Sequence, residues 1–228
     1  AVDGMFGFGD AWCIEFHPNL PRVYIGTSHG TFVYEYDKYY DTNEKIYPYL
    51  DIDENDKKEK IEALYNKGIL NQYHDGNFYP DSYFTRSEFA QIIKNAFDLQ
   101  RVSTKQVFED IGIRSRDFVS VGALYEKGYV LGGENAYFNP NEYLTYDDAA
   151  VIISRILKSF GKAKNTTFEN GEGYSVKTAD YAIYATANCI DTKIIENVSD
   201  DYNGFDYARR DDIAGMVYNL MMVVGKSL

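Results

Sequence analysis

The sequence predicts a mainly α protein: three helix-loop-helix repeats packed around one axis, preceded by a small β-meander. Three observations predict it. Short motifs recur in fixed order at a period near 60 residues, apolar residues within each copy fall at helical spacing, and the first 48 residues carry a strand-and-turn pattern instead.

Taking the elements in order, Ala11 to Phe16, Arg22 to Ile25 and Thr31 to Tyr36 read as strands. The turn formers His17-Pro18-Asn19-Leu20-Pro21 and Gly26-Thr27-Ser28-His29-Gly30 separate them. The pattern is faintly similar to one blade of a β-propeller. A lone blade cannot bury both faces, so it either packs on the helical part or is the stub of something larger upstream. Trp12 is expected in its core rather than as a sugar platform.

The repeats follow. Tyr49-Leu50-Asp51-Ile52 returns as Phe108-Glu109-Asp110-Ile111 and, weakly, as Phe168-Glu169-Asn170-Gly171. Ala63-Leu64-Tyr65-Asn66-Lys67-Gly68 returns as Ala123-Leu124-Tyr125-Glu126-Lys127-Gly128, and Ala182-Ile183-Tyr184-Ala185 is aligned as a third copy. Phe84-Thr85-Arg86-Ser87-Glu88-Phe89-Ala90 returns from Leu144 to Ala150 and from Ala208 to Ala214. The expected divisions are residues 1–48, then repeats at 49–106, 107–166 and 167–228, with 49–228 forming one compact domain. One two-helix unit is too small to bury its own apolar faces, but three together can.

Each unit's first helix, Lys57 to Tyr65 in the first copy, puts Ile61, Leu64 and Tyr65 on one face. Gly68 and Gly128 stand just past the helix ends, where a left-handed backbone is favoured. The stretch from Tyr73 to Asp81 is dense in turn formers. Thr85 and Glu88 then form a capping box, the hydroxyl accepting an amide and the carboxylate reaching back. Phe89, Ile92, Ile93 and Ala96 make an apolar stripe behind it. In the second unit Asp148 takes the Glu88 position; in the third, Arg209 stands at the cap, so that helix start must be satisfied otherwise.

Composition narrows the function classes. The chain has 228 residues, 45% of them hydrophobic, which supports a core rather than disorder. Its 22 tyrosines against one tryptophan suit half-wet carbohydrate or protein contacts, or reflect a tyrosine-rich proteome. A net charge of −12 repels nucleic acid and anionic lipid, leaving anions only a locally basic pocket. Cys13 and Cys189 allow at most one disulfide, and no apolar run is long enough to span a bilayer. The first ten residues lack a signal-peptide pattern, so an exported form is a mature chain or a fragment.

At the stretch Gly68-Ile69-Leu70-Asn71-Gln72-Tyr73-His74-Asp75-Gly76-Asn77-Phe78-Tyr79-Pro80-Asp81, running into Thr85-Arg86-Ser87-Glu88, the sequence resembles the S-layer-homology family. The resemblance covers roughly residues 49 to 222 and fades from the first unit to the third. It implies a pseudo-threefold bundle that attaches bacterial surface proteins to the cell envelope, outside the cell. The implied partner is a secondary cell wall polysaccharide bearing a pyruvylated sugar, with other surface-layer proteins as further partners. It also implies that the motif arginine is central to binding and that grooves between repeats hold the sugar. The candidate binding residues are Arg86 first and Arg210 second, with Thr85, Asp51, Asp110, Gly68, Gly128, Tyr146 and Phe118 around them. The residues supply a physical reason. A helix start offers free amides and partial positive charge, and an arginine at its first position adds a forked donor for a carboxylate. Tyr146 replaces that arginine in the second unit, where the site is expected to be degenerate or to stack on a sugar face. Phe118 is the first-helix aromatic, its counterparts aligned as Lys58 and Lys177.

Rival readings are weaker. Asp51 to Asp56, with Glu62, imitates a calcium loop but has Asp56 where the turn needs glycine. His17, His29 and His74 show no metal-ligand spacing, and no nucleophile or phosphate-loop motif is present. Asp147-Asp148 and Asp211-Asp212 are explained by helix starts. No enzyme, metal or cofactor is expected, and neither nucleic acid nor membrane insertion. The alternative from a different class is a protein–protein assembly module using the same bundle without sugar.

Overall fold

The computed structural model describes residues 11–16, 22–27, 30–35, 49–71, 75–131, 136–164, 176–196, 198 and 202–226. The chain divides into two compact units, Ala1–Ile46 and Tyr47–Leu228. In the first, β1 (Ala11–Phe16), β2 (Arg22–Thr27) and β3 (Gly30–Glu35) form an antiparallel sheet in that order, with Ile25 opposite Ile14 and Phe32. His17, His29, His74 and the 168–171 motif lie outside the described residues, as do the side chains of Trp12 and Cys13.

The second unit is helical. Short helices α1 (Lys58–Asn66), α3 (Phe118–Glu126) and α5 (Ile183–Asp191) alternate with long ones, α2 (Arg86–Phe97), α4 (Tyr146–Ser159) and α6 (Arg210–Val223). Each short helix ends the same way. Gly68, Gly128 and Lys193 adopt φ of +70°, +71° and +61°. The next amides, of Ile69, Tyr129 and Ile194, donate back to Leu64, Leu124 and Cys189 at 2.9, 2.9 and 2.8 Å. This left-handed closure satisfies carbonyls the helix leaves open.

That closure corrects the sequence alignment of the third unit. Leu64, Leu124 and Cys189 are equivalent and fully buried, whereas Ile183 opens α5. The match of Ala182-Ile183-Tyr184 to Ala123-Leu124-Tyr125 is therefore shifted by six residues, and the counterpart of Phe118 is Ile183 rather than Lys177. The physical reason is that α5 fills its inner positions with Thr186, Asn188 and Cys189, which give no apolar stripe to align.

Helices pair between units rather than within them. α2 packs on α3, α4 on α5, and α6 returns to α1, with α6 also touching α2 and α4. Phe89, Ile93, Ile153, Ile156, Ile213 and Val217 are buried between them. Each fully buried side chain of this size contributes about 1.5–3 kcal/mol. At the starts of the long helices, the chain before each helix bridges to the next unit: Thr85 with Tyr143, Thr145 with Tyr207, and Arg209 with Tyr83. The rings of Tyr83, Tyr143 and Tyr207 meet there with centroids 5.4–5.6 Å apart.

Candidate functional site

The site begins with the loops that precede the long helices. Asp51 accepts the amides of Phe78 and Tyr79, both at 2.7 Å, and Asp110 accepts those of Phe138 and Asn139 at 2.9 and 2.7 Å. Tyr79 and Asn139 sit at φ of +59° and +57°, a conformation that costs a non-glycine residue energy. Two charge-assisted bonds per carboxylate offset that cost and set each loop's height. Three members of the calcium-like run are turned elsewhere: Asp53 to Lys58, Asn55 to the Lys57 amide and Asp211, and Asp56 to Lys57.

At the start of α2 both halves of the capping box form. The Glu88 amide donates to Thr85 Oγ1 at 3.2 Å and the Thr85 amide to Glu88 Oε2 at 2.8 Å. Thr145 caps α4 through the Asp148 amide. The third start, behind Arg209, has no side-chain cap, and Asp211 Oδ1 accepts the Asp212 amide instead.

The first two helix amides are not free, which corrects the expected anion clamp. Arg86 and Ser87 donate to the carbonyls of Glu142 and Pro140, Tyr146 and Asp147 to Asp206 and Gly204, and Arg210 and Asp211 to Ser82 and Pro80, all at 2.8–3.2 Å. Each helix dipole is thus spent on the neighbouring unit's loop.

The side chains at the first helical position repeat the pattern. Arg86 Nε donates to Phe138 O at 2.8 Å, its Nη1 pairs with Asp148, and its guanidinium lies over the Phe138 ring. Arg210 Nε donates to Phe78 O at 2.8 Å and its Nη1 faces Glu88 Oε1 at 3.5 Å, over the rings of Phe84 and Phe78. Tyr146 completes the set by donating its hydroxyl to Asp212 and packing on Tyr202. Burial pushes the Tyr146 hydroxyl up, and Asp212 adds to the shift. The arginines differ in exposure. The Arg86 side chain is 23% accessible and Arg210 only 6%.

The second helical position was missed in the sequence. Ser87 Oγ bonds Asp117, and buried Asp147 accepts Thr178, Thr186 and the Ala179 amide, while buried Asp211 accepts Asn55 and Arg209. In each case a long helix grips the start of the next unit's short helix. A Cβ on Gly204 would meet Asp147 Oδ1 at 2.1 Å, so the approach demands glycine. The signal was present as the paired acids Asp147-Asp148 and Asp211-Asp212, read only as capping.

Among the described residues, one groove opens at the start of each long helix. The Arg86 groove, about 210 Å³, adds Tyr137, Phe138, Arg155 and Tyr181 around Asp148. It holds two cations against one carboxylate. The Arg210 groove, about 200 Å³, pairs Arg210 with Glu88 beside Asn71 and Gln91. The Tyr146 groove, about 450 Å³, is lined by Tyr146, Tyr202 and Asn203 together with Lys57 and Lys60 of the α1 region. These lysines were not singled out from the sequence. Burial opposes the charge on Lys57, but Asp212 and Asp211 outweigh it and hold its pKa raised. Of the remaining candidates, Gly68 and Gly128 close helices, and Phe118 lies under Arg101 at 3.5 Å, away from the three grooves. Cys189 is a free, buried core thiol.

Residues 48–90 and 115–150 match the S-layer homology domain family. The chain is 27% identical over 131 residues to the surface-layer 125 kDa protein of Lysinibacillus sphaericus, an alignment covering 58% of this chain and 11% of that protein. It is 25% identical over 197 residues to an amylopullulanase of Thermoanaerobacterium thermosulfurigenes, covering 82% and 10%. It is 27% identical over 110 residues to cell surface glycoprotein 1 of Acetivibrio thermocellus, covering 43% and 5%. The chain therefore spans only a small part of these curated relatives. The matched S-layer homology segments and the surface-layer and cell-surface relatives indicate a cell-surface protein. Among the described residues no helix is long and apolar enough to cross a membrane.

Proposed function

We propose that residues 49–228 are a non-catalytic anchor, three S-layer-homology units in a pseudo-threefold ring, holding a bacterial surface protein to its wall by gripping an acidic secondary wall polysaccharide. The cyclic pairing of long and short helices and the three matching helix-start junctions support the ring. The observation that carries the binding reading is Arg86. Phe138 O and Asp148 engage its Nε and Nη1, and among the described residues no partner is found for Nη2, at a groove with excess positive charge. A carboxylate fixed on a sugar ring, such as a pyruvyl ketal, would meet that fork while the ring lies against Tyr137 or Tyr181.

One charge-assisted contact with water partly excluded is worth about 1.5–3 kcal/mol, which is roughly ten- to a hundredfold in affinity. In sedimentation with purified wall sacculi, Arg86→Ala is expected to bind at least about tenfold more weakly with an unchanged circular dichroism spectrum. Removing the acidic substituent from the polymer should have the same effect on the unaltered protein. Equal binding by the variant would sink the assignment. Capture that is undiminished when the whole polymer is stripped from the sacculi would favour protein–protein assembly instead.

A further inference from the structure

We infer that the Tyr146 groove takes an uncharged sugar residue, so that the ring reads two chemically different units of one polymer. This rests on the wall-polysaccharide reading above and assigns a ligand class to a groove that reading leaves empty. At about 450 Å³ it is the one of the three that falls within the range of about 300–1,000 Å³ usual for small-ligand sites.

Its charge argues against an acid. Lys57 and Lys60 face Asp56, Glu196 and Asp212, two cations against three carboxylates, the reverse of the Arg86 groove. Both lysines are already engaged: Lys57 lies 3.1 Å from Asp212, and Lys60 donates to Glu196 at 2.5 Å and to Asn219 at 3.0 Å. An incoming carboxylate would have to break these pairs and then sit beside Glu196 and Asp212. A hydroxyl- or acetamido-bearing ring meets no such cost. It finds charged acceptors, ammonium donors and amides in the lining, where hydrogen bonds to ionised groups are the strong ones. It also finds Tyr146, packed on Tyr202 with ring centroids 5.7 Å apart. The position of Lys60 is taken by Ser120 in α3 and Ala185 in α5, so neither of the other units supplies this donor. The exchange of arginine for tyrosine at position 146 is then a change of specificity rather than a loss.

The test uses the whole chain, with backbone amide shifts followed during titration by two probes: the methyl glycoside of an N-acetylhexosamine, and the same glycoside carrying a pyruvyl ketal. The neutral probe should shift residues 194–196, 202–203 and 212–219, and the acidic probe residues 137–138 and 148–155. Lys60→Ala should weaken the neutral probe by about fivefold or more, one hydrogen bond's worth, and leave the acidic probe unchanged, which also reports an intact fold. Arg86→Ala should do the converse. Acidic probe in the Tyr146 groove, or a neutral probe that leaves it unshifted while the polymer still binds, overturns this inference alone. Failure of the polymer itself to bind removes the underlying reading and this inference with it.

Discussion

Arg86 and Arg210 occupy the same position of the same motif, donate to equivalent loop carbonyls and face equivalent acids of their neighbouring units, yet they differ in burial. Arg210 is sealed between Phe84 and Phe78 and is part of the core. Arg86 lies over a single ring, Phe138, and keeps a face toward water. The equivalent of Phe84 at its junction is Leu144, which buries fully but offers no ring to stack on. A shared motif thus fixes the hydrogen bonds, and one neighbouring side chain separates the sealed guanidinium from the partly exposed one.

The comparison breaks most visibly at Arg210→Ala. Losing this buried guanidinium strips Phe78 O of its donor and removes the contact with Glu88, costing about 3 kcal/mol. Urea unfolding should show it as a lower midpoint with an unchanged slope. Gly204→Ala should follow at about 2 kcal/mol, because the added methyl collides with the buried Asp147 carboxylate. Arg86→Ala, by contrast, should cost about 1 kcal/mol or less in the same assay, its loss appearing in binding. Parity between the two arginines in stability would erase the distinction. In the opposite direction, Lys193→Gly should stabilise by up to about 1 kcal/mol, since Lys193 holds the φ that glycine holds in the other two units.

The smallest effect is one of pH. Glu196 is held below the usual carboxylate range by its bond to Lys60, against a weaker opposing effect of burial. A group whose folded pKa is depressed contributes stability above its unfolded value and loses it as pH falls through the folded one. Acid titration of thermal stability should therefore show a shallow loss below the ordinary glutamate range that Glu196→Gln flattens.

Much of this was legible locally. The capping box at Thr85, the stripe from Phe89 to Ala96 and the helix-closing Gly68 and Gly128 depend on residues a few positions apart, and sequence patterns report such spacings well. Arg86 and Arg210 stood out for the same reason. The partners did not. Arg86 meets Phe138 and Asp148, and Arg210 meets Phe78 and Glu88, across separations that no local pattern encodes. Lys60 was invisible as a groove residue because α1 reaches that groove only through α6. The third unit misled because Cys189, Thr186 and Asn188 fill places where the other units carry more legible apolar residues.

The return of α6 onto α1 also sets how such a module can evolve. In the proposed ring every unit's inner face is claimed by a neighbour, so the array would be saturated at three, unlike a solenoid that accepts further turns. A fourth copy would have no vacancy to enter, and a chain shortened to two would expose both flanks of the gap. Extra grip would have to come from a second complete ring or from altered groove walls, and on the proposed reading the divergence at Tyr146 is a case of the latter.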